Sequence, residues 1–191
     1  MFLTEEELKK IGFKTLGKNV YISDKCSIYN AKSIEVGSNV RIDDFVILSA
    51  GEGGIKIGNY IHIACYASLI GKGEIILEDF SQVSSRVTIL SSSDDFLGDF
   101  LIGPCIPSEY TNVKSEKVIL KKHSVIGTGC TVLPGVTLYE GAAVGAMSLV
   151  KNDVKAFTLV HGIPAKNEKS RRTKLLELEK DFLKTLNDET K

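Results

Sequence analysis

Residues 120–150 carry an aliphatic side chain at Leu120, Ile126, Val132, Leu138, Val144 and Val150, one at every sixth position without a miss. A helix returns an apolar residue every three or four positions and a strand every two, so a strict step of six fits neither element alone. It fits three short strands per turn of a solenoid. The same step runs through Ile22, Ile28 and Ile34, through Val36, Ile42 and Leu48, through Ile57, Ile63 and Leu69, and through Leu77, Val83 and Ile89, with a break in phase between runs. Four residues after the aliphatic stands a small or β-branched residue, such as Val46, Ala67, Ser81, Val87, Ser124, Cys130 or Ala142. These suit a tight interior corner. Coils stacked about 4.8 Å apart would satisfy one another's backbone groups as parallel strands do. Glycine often follows the aliphatic, as in "IGNY" and "VGAM", where a turn needs positive φ or close backbone approach. The expected fold is an all-β solenoid.

The flanks read differently. "TEEELKKI" offers Thr4 as N-cap with Glu7 three residues later, a capping box on a short helix that covers the open first coil. Residues 168–187 are charged, with Leu175, Leu178, Phe182 and Leu186 on a helical stripe. The expected organisation is a helical cap over 1–17, the solenoid over 18–167 and a C-terminal helix over 168–191. Residues 91–117 break the six-step, and a loop of this length in a compact domain is usually functional or disordered. In the 191 residues, 24 lysines and arginines balance 24 aspartates and glutamates, so no global field points to nucleic acid or an anionic membrane. No apolar run reaches membrane-spanning length and the first ten residues lack a signal-peptide pattern, which makes the cytoplasm the expected compartment. Cys26, Cys65, Cys105 and Cys130 are scattered, without the paired spacing of a zinc or redox motif.

The repeats end in "AVGAMSLVKNDV" followed by "LVHGIPAK", and on these residues the chain resembles the hexapeptide-repeat acyltransferases, including sugar acetyltransferases of the galactoside and maltose type. The resemblance implies a left-handed parallel β-helix with a long protruding loop over 91–117 that borders the active site, acetyl-CoA as co-substrate with no metal, and a homotrimer whose inter-subunit grooves hold the coenzyme. It also implies coenzyme contacts from Ser84, Thr128, Gly145, Ala146 and Lys151 of the coils, and from Pro164 and Lys166 of the closing motif. Lys166 would neutralise phosphate charge.

The reacting group departs from the family pattern. Acyl transfer to a hydroxyl needs a base, usually histidine. Where the family places it, at the end of a third hexad just before the long loop, "ILSSSD" puts Asp94. An amine acceptor relaxes this demand, because the tetrahedral intermediate need only lose a proton. Asp94 or Asp95 would then accept that proton or hold the amine, Ser92 or Ser93 would donate to the oxyanion, and Asp44 would bind acceptor hydroxyls. His62, expected to point outward at a corner, is matched by a histidine near the acetyl group in the branch that acetylates amino sugars on nucleotide carriers, and Asp94 of a neighbouring copy would orient it. His123, in the turn after the loop, is the second candidate base.

Three functions stay open on sequence alone. The first is transfer of acetyl from acetyl-CoA to a sugar amine or hydroxyl in surface polysaccharide synthesis. The second is a non-catalytic scaffold, and the third a zinc enzyme like the γ-class carbonic anhydrases, which would need three convergent histidines.

Overall fold

The structure, a computed structural model, describes residues 1–166 and 168–188. Helix α1 (Glu5–Ile11) opens with the full capping box, the Thr4 hydroxyl accepting from the Glu7 amide while the Glu7 carboxylate accepts from the Thr4 amide. Behind it the chain winds about seven turns of parallel β-helix. Every third short strand falls on the same face. The first face runs Thr15–Leu16, Ile34–Val36, Ile55–Ile57, Ile75–Leu77, Val118–Leu120 and Thr137–Leu138. The second runs from Val20–Ile22 through Ile61–Ile63 and Gln82–Val83 to Thr158–Val160, and the third from Ser27–Tyr29 through Thr88–Leu90 to Leu149–Val150. The solenoid therefore begins at Thr15, before residue 18, because Thr15–Leu16 already pairs with Glu35–Val36.

The six-step aliphatics fill the interior: Ile22, Ile42, Leu48, Ile63, Leu69, Ile89, Leu120, Ile126 and Val132 have no accessible surface. Each such side chain contributes about 1.5–3 kcal/mol through removal from water. The second column packs the corners, with Val46, Ala67, Val87, Cys130 and Ala142 equally closed. The glycines after the aliphatics serve close approach rather than positive φ. A Cβ on Gly37 would collide with the Gly58 carbonyl one coil above. Positive φ falls two residues later, on side-chain-bearing residues such as Asn39, Tyr60, Phe80 and His123 on one corner and Phe45, Tyr66, Arg86 and Met147 on another.

Ser81 and Ser124, in the same corner column, bury hydroxyls that find no hydrogen-bond partner among the described residues. An unpaired buried hydroxyl costs about 1–3 kcal/mol. Ser124→Ala is therefore expected to stabilise the fold, raising the melting temperature by about 2–4 °C. A calorimetric scan that finds it lowered would count against this account.

The C-terminal segment differs from expectation. Lys169–Ser170 pairs antiparallel with Thr158–Leu159, and helix α2 starts only at Leu175, running to Asp188. The expected helix over 168–174 is absent, and residues 189–191 lie outside the described residues. Helix α2 docks on the corner between the first and second faces. Phe182 meets the stacked Tyr60 and Phe80 rings edge-on, and Glu179 pairs with Lys122 and His123. No helix among the described residues is long and apolar enough to cross a membrane.

Candidate active site

The corner between the second and third faces gathers most of the expected coenzyme residues. Ile42, Ile63, Val83, Ile126 and Val144 are successive register partners, so the residues that follow them stack coil on coil: Asp43, Ala64, Ser84, Gly127, Gly145. One residue further runs Asp44, Cys65, Ser85, Thr128, Ala146. Backbone bonds knit the column, Ser84 N–H donating to Ile126, Gly127 N–H to Val144 and Met147 N–H to the Thr128 carbonyl. Above Ser84 the corner is bare backbone. A Cβ on Gly145 would stand 2.9 Å from His161 Cβ, so glycine is what lets the coil and the closing turn approach this closely. That turn is "HGIPA", pinned by Gly162 N–H on the Ser148 hydroxyl and Ala165 N–H on the Leu149 carbonyl, with Ile163 exposed and the Ile163–Pro164 bond cis. Pro164 thus borders the column and the exposed Lys166 follows it. Lys151 does not join them: it follows Val150 at the far edge of the third face.

Asp94 lies at that far edge too, where the loop leaves the third face. An antiparallel ladder of Ser92–Ser93 against Lys114–Ser115 closes the loop's base. The Asp94 side chain is half-buried, and no donor among the described residues reaches its carboxylate. The Ser84 hydroxyl is likewise without a partner among the described residues. Both are polar groups left open. Between them lies the extended segment 87–91 around strand Thr88–Leu90, which spans roughly 13 Å. Open depressions of 520 and 600 Å³, on the first face and beside α1, contain neither.

Other expected residues are already engaged. Asp95 organises the loop: its carboxylate accepts the amides of Leu97, Gly98, Asp99 and Phe100. Those bonds, led by Leu97, hold its pKa below the usual aspartate value. Asp95 is therefore a loop cap rather than an open acceptor group. Asp44 is bound by the Ser23 hydroxyl and, at 3.0 Å, by Lys25, which lower its pKa in that order; it can bind a sugar hydroxyl only by sharing those donors. The Ser93 hydroxyl donates to the Asp94 carbonyl, and the Ser92 hydroxyl accepts from the Lys72 amide.

The histidines stand apart. His62 is not at a corner: it occupies the middle of Ile61–Ile63 on the second face, pointing outward because its strand neighbours point in. Its Nε2 lies 2.7 Å from Asp43 Oδ2, so the orienting carboxylate belongs to its own chain and not to Asp94. Burial pushes the Asp43 carboxyl up, but hydrogen bonds from Arg41 and His62 outweigh it and leave its pKa lowered. His123 is engaged by helix α2. Its side chain is 10% exposed, its ring stacks on Phe80, and Nε2 sits 2.9 Å from Glu179 of α2. Arg171 also donates to its carbonyl. Among the described residues no three histidine, cysteine or carboxylate side chains group to hold a metal, and burial pushes the Cys26 thiol up to about 12.

Sequence reasoning missed one feature of this corner. Three residues after Ile22, Ile42, Ile63 and Val83 on the second face, an outward ladder runs Lys25, Phe45, Tyr66, Arg86, the inner two stacked at 4.9 Å. The six-step itself was the available signal, read one position too far inward.

No family model matches the chain. It is 54% identical over 181 residues, 95% of its length and 94% of the relative's, to the dTDP-4-amino-4,6-dideoxy-D-glucose acyltransferase of Escherichia coli. It is 31% identical, over 80% of both chains, to the putative lipopolysaccharide biosynthesis O-acetyl transferase WbbJ of E. coli K12. The crystal structure of AntD, an N-acyltransferase from Bacillus cereus in complex with dTDP and 3-hydroxybutyryl-CoA, superposes with a TM-score of 0.93 at 50% identity, covering 97% of this chain and 98% of that one. AntD structures also include variants at its aspartate 94 and serine 84; this chain has Asp94 and Ser84 at those numbers. A hexapeptide-repeat acetyltransferase from Vibrio cholerae, 19% identical with a TM-score of 0.60, shares the fold.

Proposed function

The chain belongs to the hexapeptide-repeat sugar acyltransferases that use an acyl-CoA, and from that premise we propose that it acylates the 4-amino group of dTDP-4-amino-4,6-dideoxyglucose, with acetyl as the acyl group. The observation that carries this reading is the pair of open polar groups, the Ser84 hydroxyl and the Asp94 carboxylate. A carboxylate is a weak base for a hydroxyl but sufficient for an amine, whose tetrahedral adduct sheds its proton readily. The amine nitrogen attacks the thioester carbonyl and the C–N bond forms. Ser84 donates to the developing oxyanion. Asp94 takes the ammonium proton, the C–S bond breaks, and that proton neutralises the departing thiolate to give amide and free coenzyme. The Asp43–His62 pair lines the approach of the acceptor, while Thr128, Gly145, Ala146, Pro164 and Lys166 hold the coenzyme.

The roughly 13 Å of extended chain between Ser84 and Asp94 favours a site made by two copies, hence a homotrimer with one site per interface. The protruding loop supports this, since Phe96 and Leu97 are 84% and 87% exposed and nothing among the described residues covers them. Lys151, at the same edge as Asp94, then faces the coenzyme bound to a neighbouring copy. Both substrates are charged nucleotides that do not cross membranes, so the reaction is cytoplasmic. The O-acetyltransferase relative linked to lipopolysaccharide synthesis supports a role in supplying a surface polysaccharide.

A thiol-release assay tests the reading directly. Acetyl-CoA with dTDP-4-amino-4,6-dideoxyglucose is expected to release coenzyme, and the same sugar with a 4-hydroxyl is expected to release little. 3-Hydroxybutyryl-CoA in a parallel arm distinguishes the acyl group. Equal rates with and without the amine would overturn the amine acceptor.

A further inference from the structure

We propose that the Phe45–Tyr66 pair with Arg86 is the seat of the acceptor's nucleotide, the base packing across the exposed ring edges, as Phe182 packs across the Tyr60–Phe80 pair, and the diphosphate meeting the guanidinium. The assignment rests on the nucleotide-sugar reading above and names the part of the chain that recognises its carrier.

Four observations support it. The two rings are stacked, with centroids 4.9 Å apart and planes 19° from parallel, yet they are 45% and 51% exposed. An equivalent stacked pair, Tyr60 and Phe80 at 4.8 Å, occurs at the corner between the first and second faces, and there the chain covers it with its own Phe182. The Phe45–Tyr66 pair has no such cover among the described residues. Arg86 lies 5.9 Å from the Tyr66 centroid, is exposed, and pairs with no carboxylate among the described residues. Lys25 at the other end, 5.4 Å from the Phe45 centroid, is by contrast bound to Asp44. The ring faces are taken by each other, by Lys25 and by Arg86, so the ladder offers its ring edges beside a cation free of carboxylate partners among the described residues, and edge-to-face packing is a favoured aromatic geometry.

Position selects the occupant. Along this corner the coenzyme residues extend upward from Ser84 through the coils of Thr128 and Ala146, so the acceptor must approach Ser84 from below. Arg86 is on Ser84's own coil, Tyr66 one coil lower and Phe45 two, which are displacements of about 5 and 10 Å. A sugar reacting at Ser84 puts its diphosphate beside Arg86 and carries its base down to the rings. A guanidinium is suited to bridging diphosphate oxygens.

Titration calorimetry on the full chain tests this, with dTDP, thymidine and coenzyme A as separate probes. Phe45→Ala and Tyr66→Ala are expected to weaken dTDP by roughly two- to tenfold, and Arg86→Ala to weaken dTDP while leaving thymidine nearly unchanged. Tyr66→Phe should retain wild-type affinity. Coenzyme A affinity and oligomer mass should stay as in wild type, which also certifies folding. If wild type binds dTDP and the alanine variants bind it equally well, this assignment fails alone. If wild type does not bind dTDP, the acceptor reading fails and takes the assignment with it. Loss of oligomer mass in the aromatic variants would assign the pair to the contact between copies and overturn it.

Discussion

Asp94→Asn is expected to lower turnover by about a hundredfold or more while leaving the fold and the affinity for coenzyme A unchanged. The substitution keeps the shape of the side chain and removes only its ability to take a proton. Because no donor among the described residues holds the carboxylate, no structural bond is lost with the charge. Asp95→Asn behaves differently, since Asp95 accepts four backbone amides within the loop and its loss loosens the segment that carries Asp94. The two adjacent aspartates thus separate a chemical role from a supporting one. The measurement is steady-state thiol release with the amino sugar, with coenzyme affinity measured alongside. An Asp94→Asn enzyme within about threefold of wild type would remove Asp94 from the chemistry and leave His62, held by Asp43 at 2.7 Å, as the remaining base.

The coil stack was legible because a period of six is a property of side-chain direction. Each aliphatic must point inward, and a single slip would expose it, so Ile22, Ile63, Leu120 and Val132 announce the fold without tertiary information. The capping box at Thr4 and Glu7 was legible for the same local reason. What stayed hidden depends on contacts between distant segments. The sequence places His123 in a plausible catalytic turn, yet only the return of α2 fifty-six residues later reveals that Glu179 and Phe182 occupy its surroundings. For His62 the discrepancy is local: a hexad counted from Ile57 ends at residue 62, whereas the chain turns at 58–60 and residue 62 is mid-strand. Asp95 and Asp94 are indistinguishable as letters in "SSSDD". The loop backbone, which wraps four amides around one carboxylate and none around the other, separates them.

That Ser84 and Asp94 sit at opposite edges of one face leads to the second expected result, complementation between inactive variants. Ser84→Ala and Asp94→Ala, each purified alone, should be strongly impaired, because every interface in such a trimer lacks one of the two groups. Co-expressed from two differently tagged copies and purified through both tags, the mixed trimers should recover activity. With free assortment about a quarter of the interfaces pair an intact Ser84 with an intact Asp94, so recovery should approach about a quarter of the wild-type rate in the unselected pool and exceed either parent by a wide margin. A site contained within one chain predicts the opposite: no mixture of the two variants ever assembles both groups, and the pool stays as inactive as its components. The geometry decides between these outcomes because the third face is rigid. Thr88–Leu90 is hydrogen-bonded to the strands above and below it, and no rotamer of either side chain spans roughly 13 Å. Restored turnover would therefore require the thioester to lie between two solenoids, with the corner glycines of one copy along the coenzyme and the loop base of the next supplying the proton acceptor.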